Sequence, residues 1–598
     1  MKSQILLSSI ILANPLFTTG NSLAQTTPKK NILFIAVDDL KPLLGCYGDP
    51  LAKTPNIDRL ASRGAIYTQS YCQQAVSAPT RASLLTGKCP DYTRVWDLQT
   101  LIRDMNPDIV TFPQYIRSKG YSTAGIGKIF DPRSVDASQD SLSWSVPYIK
   151  EGSFMDNSTG PIVNNYFRSA ETRAQAEVLT TEGKALGLTG MALKEYLLKL
   201  LMPSSECIDI NDEAYSDGAI AKGAVDFLTK QDVTKPFFLA VGFRRPHLPF
   251  VAPKKYWDLN NRDLMPLAQY RKKALNSTDL GYHNSGELQS YTDIPPLYTF
   301  SDINNTELPD SKAKELIHGY YASISYLDAQ LGKVLDKLDS KGLTSNTVIV
   351  LWGDHGWHLG DHGLWNKHSN FEQATRAPLI IVDPAVNKPV TVNSPVEFLD
   401  VFPTLCNLVD VEIPANLDGK SLKTTLTDPN TSVKDYAVSQ YPRSVNMGYS
   451  IRTQKYRYTV WVPWTNKISN FDKIVAEELY DYEKDPHETE NLVDKASYTS
   501  ILIAMKTHFE DFKARRVQTR TFLPTLKSFR VFPNPAANEI KLEGLQPNSI
   551  VSLFDMTGKM LIRKTINDTI SKFSLSELVN GTYLVKANSH VEKLIICN

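Results

Sequence analysis

Four apolar runs constrain this chain more than any other feature. They are residues 31–37 (NILFIAV), 122–127 (STAGIG), 236–243 (PFFLAVGF) and 346–353 (NTVIVLWG). Each is short and lacks the polar alternation of a half-exposed strand, so each reads as a strand covered on both faces. Each then stops in ionisable residues: Asp38-Asp39, Lys128, Arg244-Arg245 with His247, and Asp354-His355. Helical patterns lie between them. The clearest is 317–342, where Ile324, Leu327, Leu331, Leu335 and Leu338 share one stripe. Strands alternating with helices imply an open α/β sheet, and ligands of such sheets bind beyond the carboxyl ends of the strands. The four polar ends therefore meet in one place.

The chemistry of those ends is specific. Asp38, Asp39 and Asp354 would repel one another unless a cation neutralised them. Oxygen ligands favour a hard ion such as calcium or magnesium, with His355 beside it. Segment 354–368 (DHGWHLGDHGLWNKH) holds four of the ten histidines, 355, 358, 362 and 368. Their spacing fits no zinc pattern, so those other than His355 are expected behind the site or at the surface. Lys367 shares this loop. Residues 75–87, AVSAPTRASLLTG, read as a helix start with Ser77 or Ala78 at the cap and Pro79 in the first turn. Capping leaves Arg81 unexplained. Arg81, Lys128, His247 and Lys367 around a helix N-terminus would suit a tetrahedral anion, and Ser77 would then be the reactive atom.

The rest of the chain sets the context. A chain of 598 residues exceeds one core, so several domains are expected. Residues 1–24 have the basic start, apolar run and small-residue end of a secretory signal peptide cut after Ala24, without a cysteine for lipid attachment. No later segment is long and apolar enough to insert in a membrane. With 65 basic and 64 acidic residues, no global field attracts nucleic acid or anionic lipid. The six cysteines form no CxxC pair, so a disulfide cannot be assigned. The catalytic domain is expected over 25–435 and a smaller subdomain over 436–520. In the latter, 447–462 reads as an antiparallel strand pair and 478–492 as a strand with an acidic turn. After a linker at 521–527, residues 528–598 form a strand-rich unit of β-sandwich size, with turns at Pro535, Gly544, Gly558 and Gly581.

Ser77 through Gly87 (SAPTRASLLTG) resembles the signature of type I sulfatases, in which a Cys or Ser is oxidised to formylglycine. GKCPDYTRVWDL, TFPQYIRSKGYSTAGIGKIF, PFFLAVGFRRPHLPF, DHGWHLGDHGLWNKHSNF and MGYSIRTQKYRYTVWV resemble the iduronate-2-sulfatase branch in particular, over roughly residues 30–500. The resemblance implies an alkaline-phosphatase-like α/β sandwich with a mostly parallel central sheet and a small antiparallel C-terminal subdomain. It implies calcium held by Asp38, Asp39, the modified Ser77, Asp354 and His355. Arg81 and Lys128 would steady the formylglycine, while His247 and Lys367 would meet the sulfate and leaving oxygen. The substrate implied is a sulfated polysaccharide containing uronic acid, either algal ulvan or a glycosaminoglycan. Lys367 is the candidate contact for its carboxylate, and loops 91–105 and 255–310 are the expected pocket walls. One position departs: GKIFDP places Asp131 where the family has a histidine proposed as base. A serine at position 77 implies an oxygen-independent radical maturase acting before export. Residues 528–598 resemble the type A sorting domain of type IX secretion in Bacteroidetes, through VFPNPA, LFDMTGK, LVNGTYLV and EKLII. That implies passage through the periplasm to the surface or medium. Two other readings stay open: a metal-dependent phosphatase or phosphodiesterase using unmodified Ser77, and a non-catalytic secreted glycan-binding protein.

Overall fold

Strands β1 (Asn31–Val37), β2 (Ala65–Tyr67), β3 (Ser122–Gly127), β4 (Phe237–Phe243), β5 (Thr347–Gly353), β6 (Leu379–Val382) and β7 (Val390–Val392) form one sheet, in the order β7-β2-β6-β5-β1-β4-β3. Only β6 runs against the others, so the sheet is mostly parallel, and all four apolar runs lie in its adjacent strands β5-β1-β4-β3. These strands belong to a computed structural model describing residues 29–232, 234–297, 308–386, 388–521, 529–545, 549–556, 559–566, 570–587 and 590–597. The expected signal peptide and, apart from Thr521, the expected linker lie outside the described residues.

Alternation along β1 explains how the sheet is covered. Leu33, Ile35 and Val37 point into one core with helices α2 (Ser216–Lys230) and α3 (Asp310–Ser340). Ile32, Phe34 and Ala36 point into the other, with helices α1 (Ser77–Thr86) and α4 (Val401–Leu408). Both faces bury fully apolar side chains, each worth about 1.5–3 kcal/mol, and this is why the runs show no polar alternation. The stripe foreseen on α3 is the buried one: Ile324, Leu327 and Leu331 have no exposed surface. Parallel register brings the strand ends level, with Val37 beside both Phe243 and Gly353 and Gly127 beside Gly242.

A second sheet is antiparallel: β8 (Ala437–Arg443), β9 (Asn446–Arg452), β10 (Tyr456–Thr465) and β11 (Ala476–Asp481), in that order. The strand pair expected in 447–462 is β9 and β10. Helix α5 (Thr499–Thr521) covers this sheet with Met505, Phe509 and Phe512. A buried charge cluster joins the two sheets. Glu372 accepts Nε of Arg452 at 3.1 Å and Nη2 of Arg457, whose Nε lies 3.1 Å from Glu488. The Arg452 guanidinium stacks 3.7 Å above the Tyr482 ring.

Seven further strands between Arg530 and Ile596 form a three-stranded and a four-stranded antiparallel sheet. They enclose a separate core that includes Ile540, Leu553, Phe573, Val585 and Leu594. Among the described residues no helix is long and apolar enough to cross a membrane. All six cysteines are free thiols.

Candidate active site

The level strand ends set Asp38 and Asp39 after β1, Lys128 after β3, Arg244, Arg245 and His247 after β4, and Asp354 and His355 after β5. Helix α1 points its first turn at them. The helix starts on Ser77 itself, with Val76 extended at the cap and no side-chain cap bond, which corrects the expected capping role. Ser77 Oγ instead donates to Asp38 Oδ1 at 3.1 Å and lies 3.4 Å from His355 Nε2. Gly87, left-handed at φ 66°, ends the helix.

Asp38, Asp39, Asp354 and His355 have no exposed surface. The His355 Nδ1 proton goes to the Gly356 carbonyl at 3.0 Å, because a carbonyl can only accept. Burial holds the imidazole below its ordinary pKa, so its Nε2 lone pair faces Asp39 Oδ1 at 3.3 Å and Asp354 Oδ1 at 3.6 Å. Oxygens and lone pairs converging in this way fit a hard divalent cation. Among the described residues, two overlapping groups have metal-binding spacing: Asp39, Asp354 and His355, and Asp38, Asp39 and His247.

Asp39 adopts a left-handed backbone, φ 59°, uncommon outside glycine. Neighbours hold it there. Its N–H donates to Asp354 Oδ1 at 2.9 Å, and its carbonyl accepts the Tyr320 hydroxyl of α3 at 2.7 Å. The same hydroxyl accepts Lys41 N–H at 2.8 Å.

Cations close the ring. Arg81, fully buried, donates Nε to Asp354 at 3.0 Å, Nη2 to Asp38 at 3.2 Å and Nη1 to the carbonyls of Lys128 and Ile129. Lys128 Nζ reaches both oxygens of Asp38, at 2.8 and 2.7 Å. Burial raises the Asp38 carboxyl, but Lys128, with Arg81 and Lys367, outweighs it and holds the group well below the usual carboxylate range. Asp39 goes the other way: burial, with Asp38 and Glu287 nearby, lifts it despite Lys367. His247 Nδ1–H donates to the Leu248 carbonyl at 2.5 Å. Burial and then Lys367 keep its imidazole neutral, so Nε2 is an open acceptor 3.4 Å from Glu287.

Two expected roles change. Lys367 was to be free for a substrate carboxylate. Its ammonium, 4% exposed, instead donates to both oxygens of Asp39 at 3.0 Å, pairs with Glu287 at 3.3 Å and sits 4.9 Å from the Trp357 ring. Asp131, the candidate base, is fully buried and clamped by Arg133 through Nε at 2.9 Å and Nη2 at 2.8 Å, with Lys128 3.6 Å away. Burial alone would raise it; Lys128 and Arg133 overcome that and hold it far below the usual range. A carboxylate so held is a weak proton acceptor and a firm anchor for Lys128.

A cavity of about 470 Å³ opens beside Lys128 and His247. Its other walls come from 131–151, Tyr166 and Arg244, and among the described residues none comes from 91–105 or 255–310. Segment 91–105 serves the second sheet instead: Asp91 accepts Gln440 Nε2 at 2.9 Å and the Tyr449 hydroxyl at 2.8 Å. Loop 255–310 contributes Glu287. Sequence reasoning also missed Tyr320, which reads as one more core aromatic on α3. Of the loop histidines, His358 and His362 are buried behind the site, not on the surface.

A tetrahedral-anion site at the ends of this sheet defines a class, and the comparisons agree with it. The sulfatase family model matches residues 30–411, so the chain belongs to the sulfatase family and is a sulfuric ester hydrolase. The model for the C-terminal region of N-sulphoglucosamine sulphohydrolase matches 360–515, and that of a secretion-system C-terminal sorting domain matches 530–597. Human iduronate 2-sulfatase is 32% identical over 554 residues, covering 82% of this chain and 95% of its own. A sulfatase from Formosa agariphila is 30% identical over 502 residues, covering 80% and 86%. Among solved structures, the phosphonate monoester hydrolase of Agrobacterium radiobacter superposes with a TM-score of 0.59 at 21% identity, over 81% of this chain and 96% of its own. That likeness concerns the fold alone.

Proposed function

We propose that the protein is an exported sulfatase that removes sulfate from a uronic-acid-containing polysaccharide, ulvan or a glycosaminoglycan, with position 77 oxidised to formylglycine. One observation carries the reading: Ser77 sits at a helix N-terminus between Asp38 and His355, facing a ring of Arg81, Lys128, His247 and Lys367. Formylglycine would supply a hydrated aldehyde: one hydroxyl would bond to sulfur as the S–O bond to the sugar breaks and the sugar alcohol leaves, and deprotonation of the other would break the C–O bond, releasing sulfate and restoring the aldehyde. Calcium held by Asp38, Asp39, residue 77, Asp354 and His355 would supply positive charge for the sulfate oxygens.

The chain's own residues do the remainder. Arg81 ties Asp38 and Asp354 to the β3 end, so the carboxylates keep their spacing while charge moves. Lys128 and Lys367, each already on a carboxylate, stabilise negative charge growing on the sulfate. His247, neutral with an open Nε2, takes the proton given up by the attacking hydroxyl at that atom and passes it to the leaving oxygen. Asp131 positions Lys128. Export by type IX secretion, and oxidation of Ser77 by a radical maturase, complete the proposal.

The test is the mass of the peptide carrying residue 77, which should be two hydrogens lighter in active enzyme. Full activity with an intact serine would refute the mechanism. Sulfate release is then compared on heparan, dermatan, chondroitin, ulvan and carrageenan oligosaccharides. A preference for carrageenan, which lacks uronic acid, would overturn the substrate.

A further inference from the structure

We infer that the cavity beside Lys128 and His247 is a subsite for a second anionic group on the same glycan, gripped by Lys150 and Arg244. The inference rests on the sulfatase reading and adds to it residues that select the substrate.

Position comes first. Lys128 and His247 belong to the site just described and also line this cavity, so a sugar whose sulfate lies at Ser77 extends into it. Charge comes second. Lys150 lines the cavity, is exposed, and has no ion-pair partner among the described residues. Arg244 forms the opposite wall. Its Nη1 pairs with Glu151, its Nη2 donates to the Tyr166 hydroxyl, and its Nε is buried without a partner. The Tyr166 ring lies 4.9 Å under the guanidinium and holds it flat. Arg133 stands at the rim with its side chain 54% exposed, neutralising Asp131. Both carboxylates of the wall, Asp131 and Glu151, are thus already paired, and the unspent charge is positive.

Shape agrees. Tyr148 is fixed by its hydroxyl between the Gly127 carbonyl and the Ile129 N–H, and with Tyr166 it gives the cavity rigid aromatic surface. A concave site with flat aromatic walls and a few placed cations suits an anionic sugar ring, not an extended apolar ligand. The anion is a carboxylate or a second sulfate. Lys367, buried against Asp39 and Glu287, does not line this cavity.

The experiment measures kcat/KM for matured full-length enzyme on three disaccharides sharing one scissile sulfate. One carries a neighbouring carboxylate, one a second sulfate in its place, and one the carboxyl reduced to an alcohol. The wild type should prefer an anionic partner over the alcohol. Lys150→Ala and Arg244→Gln should each shrink that preference about tenfold to a hundredfold, Lys150→Glu further, and Lys150→Arg should restore it. Thermal melting verifies that Arg244→Gln folds. Loss of the preference for the carboxylate or for the second sulfate identifies which anion is held. Equal losses on all three substrates, or no change in preference, overturn the subsite while leaving the sulfatase reading intact. A wild type that cleaves none of the three overturns both.

Discussion

Two of this protein's clusters of buried charge differ in kind. Around Glu372, Arg452, Arg457 and Glu488 every charge is met by an opposite charge or an aromatic face, between two sheets. Around Asp39 and His355 a lone pair points at carboxylates, and the next space is a cavity. Burial of charge is common to both. What separates a reactive site from a structural rivet is unspent bonding capacity next to room for a ligand.

The sharpest way to break the comparison is to remove the central atom of each cluster. Ser77→Ala should cut sulfate-ester turnover by at least about 10⁴-fold with its melting temperature close to wild type. Asp354→Ala or Asp39→Ala should cut turnover as deeply and lose stoichiometric calcium by elemental analysis. Stoichiometric zinc in the wild type would instead favour a phosphatase. Arg457→Met should do the reverse. It leaves Glu372 and Glu488 short of a partner and should cost about 3–5 kcal/mol in urea denaturation, with turnover per folded molecule retained. A catalytic defect there larger than the folding defect would erase the distinction.

Acid should act on the wall behind the site before it breaks the rivet. Burial holds His358 down at about 3 and His362 at about 4. Unfolded, both would take up protons near the ordinary value of 6.5, so the unfolded chain binds more protons below that pH. Stability is complete above it and falls as the pH drops toward about 4, at up to about 1.4 kcal/mol per pH unit for each histidine. Thermal melts of His362→Gln should show a shallower slope across that window; an unchanged slope would exclude the residue as a source. The smallest effect belongs to the C-terminal sandwich. It has its own core, and its Lys586–Asp104 ion pair with the catalytic unit is exposed and 3.8 Å long. Truncation near residue 525 should leave turnover intact and retain the protein inside the native cell.

The central strands and the site's principal residues were legible because a fully covered strand writes its burial as an uninterrupted apolar run. The residue that follows must then lie at the sheet's ligand edge. Glu287, Tyr320 and the cavity wall of Lys150 and Tyr166 were not legible. Their contacts depend on where loops fold back, and nothing in GELQSYTD or PYIKEG encodes that. Lys367 and Asp131 show the complementary limit: the sequence places a charge near the site, and only packing decides which partner claims it.

Strand β1 cannot complete its pairing early. Its neighbours are residues 237–243 and 347–353, and the Asp39–Asp354 bond spans almost the whole catalytic unit. A sheet of such high contact order closes late, after the last of those strands has left the ribosome. Until then the sheet cannot bury Ser77, which is only 2% exposed in the finished fold. Any enzyme that oxidises this serine must work in that interval. If residue 77 is oxidised as proposed, the sheet that later covers it would also set the time available for that chemistry, and variants that speed closure of β1 against β4 and β5 would shorten it.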